Sequence, residues 1–87
     1  MSYRVELTSA AQRNLRRLPM DVQARLATPI LALAEEPRPA GARKLWGQGR
    51  AWRVRVGPYR VVYDIHDEQA LVVVLKVARR NETTYGR

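Results

Sequence analysis

Cysteine is absent from this chain of 87 residues, and histidine occurs only once. The absence of thiols excludes disulfide bonds, cysteine-ligated zinc and thiol catalysis. No apolar run approaches the roughly 18 residues that a membrane-spanning helix needs, and the first residues lack the apolar block of a secretory signal. We therefore expect a soluble protein of the reducing cytoplasm that associates with no membrane.

Acidic residues are also scarce, at 8 against 16 lysines and arginines, which gives a net charge of +8. Residues 1–40 carry six basic and four acidic side chains, whereas residues 41–87 carry ten and four. The positive charge is thus concentrated in the second half, which indicates a polyanionic partner. A chain of this length has room for one small core, so we expect a single domain over residues 1–87.

The order of the predicted elements indicates an α+β fold. Alternating apolar residues predict a strand over residues 2–7, and apolar residues at helical spacing predict helices at about residues 9–17 and from Asp21 to Glu36. A connector rich in proline and glycine follows over residues 37–50. Period-two alternation then returns, so we expect an N-terminal strand, a two-helix hairpin and a three-stranded antiparallel meander that completes one small sheet.

The last predicted strand differs from the others in its pattern. The run from Leu71 to Ala78 is almost wholly apolar instead of alternating. Such a run is typical of a strand that is covered on both faces. We therefore expect this strand to lie in the middle of the sheet, between two layers of packing side chains.

Arginines are concentrated in the predicted hairpin around Gly57-Pro58. If the turn is symmetric, Val56 faces Tyr59, Arg55 lies directly across from Arg60, and Arg53 shares their face. Two opposed guanidinium groups repel by a few tenths to ~1 kcal/mol, so folding alone gives no reason for the arrangement. Two interpretations stay open: a bound anion compensates for the repulsion, or these arginines protect a solvated strand surface from aggregation.

More basic residues follow the last strand, where Arg79 and Arg80 precede a polar tail. If the last two strands are antiparallel neighbours, these residues lie near Arg60 at the start of the preceding strand. Tyr85 in the tail can stack on a nucleobase, which contributes about 1 to 3 kcal/mol per base, or can pack against the sheet edge. Spacing alone leaves both roles open for Tyr85.

The sequence gives little support for a metal site, a hydrolase triad or a nucleotide-binding loop. His66 has no cysteine or second histidine to complete a metal site, so we expect no metal and no cofactor. No Ser/His/Asp grouping and no glycine-rich phosphate loop is recognisable. Arginines at adjacent turns of the first helix either grip a nucleic-acid backbone or form a solvated helix face; they are Arg13, Arg16 and Arg17.

At this point the sequence resembles the RelE/ParE superfamily of toxins, over essentially the whole chain. The resemblance is carried by Leu18-Pro19, Glu36-Pro37-Arg38-Pro39, Lys44-Leu45, the run from Trp52 to Tyr63, and Arg79-Arg80-Asn81-Glu82 with Tyr85. It implies the toxin of a toxin–antitoxin pair, with a cognate antitoxin as partner. The RelE branch cuts messenger RNA on the ribosome without a metal, whereas the ParE branch poisons DNA gyrase and lacks the catalytic basic cluster.

The resemblance also implies site residues, and these favour the RelE branch. The catalytic positions carry over onto Arg53, Arg55, Arg60, Arg80 and Tyr85. Relatives have a lysine pair where this chain has Arg53 and Arg55, and a guanidinium is a poor general base. The proton acceptor stays unassigned: Glu82 is the best remaining candidate, His66 is a distant second because the hairpin places it at the far end, and the ribosome is a further possible source of the base. Further candidates for contact with RNA are Arg13, Arg16, Arg17, Arg79 and Lys44. The alternatives are a gyrase inhibitor and a basic binding module without catalytic activity.

Overall fold

The computed structural model describes residues 2–45, 47 and 49–80. Its elements are β1 (Arg4–Leu7), α1 (Ser9–Arg16), α2 (Met20–Ala32), β2 (Arg43–Lys44), β3 (Ala51–Val56), β4 (Tyr59–His66), a short 3-10 helix (Asp67–Gln69) and β5 (Leu71–Arg79). The sheet has the order β1-β5-β4-β3-β2, in which β1 pairs parallel with β5 and the other neighbours are antiparallel. The predicted α+β fold is confirmed.

Both helices contribute to one core on one face of the sheet. The side chain of Thr8 caps α1, since its Oγ1 accepts a hydrogen bond of 3.1 Å from the backbone N–H of Ala11. Leu26 and Ile30 of α2 belong to the same buried cluster as Tyr63. Tyr63 is fully buried, and its hydroxyl donates a hydrogen bond of 2.8 Å to the carbonyl of Pro37. Burial raises the pKa of Tyr63 to about 12. We call the sheet face that carries this core the inner face.

The predicted covering of β5 on both faces is wrong. Val72, Val74 and Val77 are buried in the core, whereas Val73 and Leu75 of the same strand are half-buried. A β-bulge causes the break in alternation, because Val62 of β4 pairs with Lys76 and the next residue pairs with Val74. Leu75 is therefore an additional residue in β5, and it turns Lys76 onto the outer face. Although its sequence is almost wholly apolar, β5 therefore alternates between the two faces of the sheet, with one interruption at the bulge.

The sheet also has a fifth strand that the sequence did not predict. The two residues of β2 pair with Arg53 and Trp52 of β3, inside the segment interpreted as a connector. Two residues between proline and glycine positions are too few to show any periodicity, so pattern analysis has no signal for them. Their effect is to extend the sheet by one strand beside the hairpin.

A cluster around Asp67 ties the N-terminal segment and the α2–β2 connector to the end of β4. Asp67 accepts hydrogen bonds from the hydroxyl of Tyr3 at 2.6 Å and from Nη2 of Arg38 at 2.8 Å. Arg38 also lies over the ring of Trp52, 5.3 Å from its centroid. The bonds from Arg38, and then that from Tyr3, lower the pKa of Asp67 from 3.8 to about 2.

Replacing Asp67 by asparagine is therefore expected to lower the urea midpoint of unfolding at neutral pH. Because the pKa is lower in the folded state, this stabilisation is complete above the ordinary pKa and is lost as pH falls through about 2. The midpoints of wild type and variant should converge toward pH 2. Asp21→Asn serves as the control, since its exposed pair with Arg25 spans 3.4 Å. A constant difference down to pH 2 would contradict the assignment.

No helix in the described part of the chain is long and apolar enough to cross a membrane.

Candidate nucleic-acid interface

The hairpin of β3 and β4 has the predicted register. Val56 pairs with Tyr59, and Arg55 lies directly across from Arg60. The connecting turn has two residues, and Gly57 has a positive φ of 56°. Glycine takes that conformation without strain, while proline at the next position fixes the φ that a type II′ turn requires. The Gly57-Pro58 pair thereby sets which arginines oppose each other.

The face of the sheet opposite the helices collects cationic side chains in two rows across the strands. The first row contains Arg43, Arg53, Val62 and Lys76, and the second contains Arg55, Arg60 and Ala78. We call the cationic set the basic face; its members are Arg43, Arg53, Arg55, Arg60 and Lys76, with Arg80 at its end.

The end of β5 closes the basic face beside the turn, as predicted. The backbone N–H of Arg80 donates a hydrogen bond of 2.6 Å to the carbonyl of Pro58. Its guanidinium Nη1 donates another of 3.1 Å to the carbonyl of Gly57. These two bonds hold Arg80 at the same end of the sheet as Arg55 and Arg60.

The electrostatics of the basic face differ from those of the rest of the surface. Several arginines elsewhere are neutralised by carboxylates: Arg4 by Glu6, Arg25 by Asp21, Arg38 by Asp67 and Arg50 by Glu68. On the basic face, Arg55 and Lys76 have no hydrogen-bond or ion-pair partner among the described residues, and Arg55 is exposed. Like charges directly opposite each other destabilise a sheet, so this surface is suited to a bound anion.

The basic face borders a depression that is large enough to admit part of a nucleotide. A pocket of about 220 Å³ lies where the connector enters β2 beside β3. It is lined by Ala40, Gly41, Arg43, Arg53, Val54 and Arg55. Three guanidinium groups thus border one concave site, and forked guanidinium donors match the geometry of phosphate oxygens.

Three of the sequence-predicted contacts, Arg17, Arg79 and Lys44, lie away from the basic face. Arg79 pairs with Tyr59 and stacks over its ring at 5.7 Å, on the face opposite Arg60. Arg17 and Arg79 line one pocket of about 260 Å³ beside α1. Lys44 pairs with Trp52 and donates a hydrogen bond of 2.6 Å to the carbonyl of Gly49, so it too is separated from the basic face.

The remaining candidates are distributed over the helix and the tail. Arg13 and Arg16 are exposed on α1, which packs against β5. Glu82 and Tyr85 lie outside the described residues. The structure therefore brings together Arg53, Arg55, Arg60 and Arg80, and places the arginines of α1 in the helical layer.

Sequence reasoning missed two members of the basic face, Arg43 and Lys76. Arg43 belongs to the unpredicted strand β2, and Lys76 stands inside an apolar run that suggested burial. A usable signal existed for Lys76, because a single lysine in an otherwise apolar strand is costly unless the strand turns it outward.

His66 lies at the other end of the sheet, as the hairpin predicted. It is half-buried, and its Nε2 lies 3.9 Å from Oδ2 of Asp64. In the described part of the chain, histidine, aspartate and glutamate side chains form no group of three that could hold a metal ion. His66 pairs with Leu71, at the end of β4 far from the Gly57-Pro58 turn.

The chain matches, over residues 5–84, the family model described as the ParE toxin of type II toxin–antitoxin systems, parDE. It belongs to this family of toxins, as the resemblance of its hairpin and arginine-rich end indicated.

Individual relatives are named as Rel toxins. The chain is 36% identical to Toxin RelG of Mycobacterium tuberculosis over 84 residues, which are 92% of this chain and 93% of that protein. It is 28% identical to the mRNA interferase toxin RelE of Escherichia coli K12 over 85 residues, which are 95% and 88% of the two chains. Its fold is similar to one in the toxin–antitoxin complex RelBE2 of M. tuberculosis, with a TM-score of 0.82 and 32% identity, covering 92% of this chain and all of that one.

Proposed function

We propose that residues 1–87 form a single toxin domain that cuts messenger RNA on the ribosome and thereby stops translation. The observation that carries this proposal is the basic face, where Arg55 and Arg60 are paired across a hairpin and Arg80 is anchored beside them. A surface that collects several guanidinium groups on one side of a sheet is suited to a polyanion. A ribosome-directed toxin acts in the cytoplasm.

The proposed reaction is an internal transesterification of RNA. The ribose 2′-oxygen attacks the adjacent phosphorus and gives its proton to a base, and the bond from phosphorus to the 5′-oxygen breaks. A 2′,3′-cyclic phosphate is left on one fragment, and the 5′-oxygen of the other takes up a proton from water and leaves as a hydroxyl. Negative charge accumulates on the phosphorane oxygens, and guanidinium groups fixed by the sheet stabilise it. Removal of one such donor typically costs about 100- to 1,000-fold in rate. No step needs a metal or a covalent enzyme intermediate.

The same guanidinium groups are unsuited to proton transfer. A guanidinium is not deprotonated in proteins, so Arg53 and Arg55 cannot serve as bases. Their proposed role is to stabilise negative charge on the phosphate and to position it. Of the candidates from the sequence, Glu82 remains the proposed proton acceptor. Orientation of the message by the ribosome contributes the rest of the rate acceleration.

The names of the relatives support this proposal. RelE of E. coli is an mRNA interferase by name, and the RelBE2 structure is a toxin–antitoxin complex. We infer that this chain has a cognate antitoxin, and that an acidic or amphipathic segment of that partner covers the basic face. Neutralisation of the cations would then block access of RNA.

Inhibition of DNA gyrase is the second candidate, because the matching family model is described by the name ParE. The basic face argues against it, since a protein that blocks an enzyme by contact does not need arginines opposed across a hairpin. A supercoiling assay with the purified chain tests this alternative directly. We expect gyrase to remain active.

Toeprinting of translating ribosomes tests the proposed function. Purified toxin should produce cuts within the codon of the ribosomal A site, and it should leave the same message intact when ribosomes are omitted. Added antitoxin should abolish the cuts. An intact message on ribosomes that continue to translate at saturating toxin would refute the proposal.

A further inference from the structure

A β-bulge decides the orientation of Lys76. Val72 and Val74 of β5 are fully buried in the core, and unbroken alternation would direct residue 76 to the same side. The additional residue Leu75 reverses the alternation, so that Lys76 pairs with Val62 on the outer face and Val77 is buried instead. Bulges of this kind redirect side chains and are frequent next to active sites.

The surroundings of Lys76 give it no structural role. The side chain is exposed, and no hydrogen-bond or ion-pair partner contacts it within residues 2–45, 47 and 49–80. Glu6 and Asp64 are the nearest carboxylates by register, since both pair with Val73 of β5. Glu6 lies instead 2.9 Å from Arg4, and Asp64 lies 3.9 Å from His66. The chain's other lysine, Lys44, is tied to the carbonyl of Gly49. Lysine is also disfavoured in strands, so the fold gains nothing evident from it here.

Lys76 lies in the same cross-strand row as Arg53, with Val62 between them. Two strand spacings separate the two residues, which corresponds to about 10 Å between their Cα atoms. Arg60 is the diagonal neighbour of Lys76, at about 7 to 8 Å. Val62 is only 8% exposed, so the side chains around it cover it and form a continuous surface. The row is therefore suited to more than one phosphate of an extended strand.

We propose that Lys76 binds a backbone phosphate that flanks the cleaved bond of the messenger RNA. This inference rests on the proposed function, since it names a subsite of that surface. The arginines near the turn hold the phosphate that reacts, and the ammonium of Lys76 holds a neighbouring one as a point charge with three donors. The RNA backbone accordingly crosses the strands from the turn end of β3 toward β5, and does not follow the hairpin lengthwise.

Lys76→Met and Lys76→Arg test this subsite in ribosome complexes whose message has a 2′-deoxy sugar at the cleavage position, so that binding is measured without reaction. We expect Lys76→Met to weaken binding about tenfold and to reduce the log–log salt slope by about 0.7, the value for one phosphate contact on a single strand. Lys76→Arg should retain most of the affinity. On cleavable message, the saturating rate of Lys76→Met should stay within about threefold of wild type, because a flanking contact acts mainly on binding.

Arg4→Met is the matched control. It removes one positive charge from the outer face of the sheet, but its guanidinium is paired with Glu6 at 2.9 Å on β1. Its affinity and salt slope should equal those of wild type. A second comparison uses ribosomes whose message ends at the P site, where the defect of Lys76→Met should disappear because the contacted phosphate is absent.

Three results would overturn the inference. Wild-type affinity of Lys76→Met would remove Lys76 from the interface. A loss of saturating rate without a loss of affinity would place Lys76 on the reacting phosphate. A defect that persists with the shortened message would assign the contact to ribosomal RNA. Failure of wild type to cut message would refute the proposed function instead, while the binding comparison would still decide whether Lys76 contacts the message.

Discussion

Arg60→Ala is expected to lower the saturating rate of message cleavage on the ribosome about 100- to 1,000-fold, because a preorganised charge donor at the phosphorane is lost. Arg60 is the half-buried member of the opposed arginine pair, and its Nε atom is shielded from solvent. A cation fixed in this way gives more stabilisation to developing charge than an exposed one. Rapid-quench cleavage at saturating toxin measures this rate.

Affinity separates catalysis from binding in this experiment. The affinity of Arg60→Ala for ribosomes with uncleavable message should fall by no more than about fivefold, since interactions made only in the transition state act on the rate. Arg4→Ala, on the outer face at the far end of the sheet, should cleave as wild type does. A parallel loss of affinity and rate for Arg60→Ala would identify the basic face as a binding surface without catalytic function.

The part of this surface that could be predicted is the part that depends on local geometry. A two-residue turn at Gly57-Pro58 fixes the pairing of its flanking strands, so the opposition of Arg55 and Arg60 follows from counting outward from the turn. The antiparallel return of the last strand likewise places Arg80 near the turn. In both cases a few neighbouring residues determine the register.

The part that could not be predicted depends on interactions between distant segments. The bulge at Leu75 arises from pairing with β4. The lysine at position 76 indicates that a charge must turn outward, but the apolar residues around it do not show which residue is the additional one. Arg43 reaches the basic face only because two residues of a connector pair with β3. Sequence periodicity reports neither event, because each involves one or two residues. The two cations so missed lie at opposite margins of the face.

The opposed pair also connects stability with function. Directly facing guanidinium groups cost a small domain up to about 1 kcal/mol, a noticeable share of a stability that is usually about 5 to 15 kcal/mol. Such local free-energy costs are characteristic of functional sites, where residues are arranged for a ligand and not for the stability of the fold. The cross-strand position of Arg55 and Arg60 is consistent with the proposed binding of a phosphodiester on this face.

Arg80→Ala should lower cleavage far more than Arg79→Ala, by about 100-fold against less than about fivefold in saturating rate. Arg79 is the last residue of β5 and Arg80 follows it directly, and successive residues there are directed to opposite sides of the sheet. Arg80 is bonded to Gly57 at the end of the basic face, whereas Arg79 stacks over Tyr59 beside the helices. A shift of one residue in the alignment with relatives would exchange their roles, so the pair tests the assignment directly.

Measuring the stability of both variants excludes unfolding as the cause of a difference in cleavage rate. Both substitutions remove one arginine near the end of β5, so they change the net charge equally. Arg79→Ala also removes a stacking contact with Tyr59, which contributes about 0.5 to 1 kcal/mol at an exposed site. Arg80→Ala in turn loses the hydrogen bond of 3.1 Å from its guanidinium to the carbonyl of Gly57, so the two variants should be similarly stable in urea, and Arg79→Ala should still be the more active one. If instead Arg79→Ala were the inactive variant while Arg80→Ala cleaved normally, the reacting phosphate would lie on the helical side of the sheet, and the basic face would not be the catalytic surface.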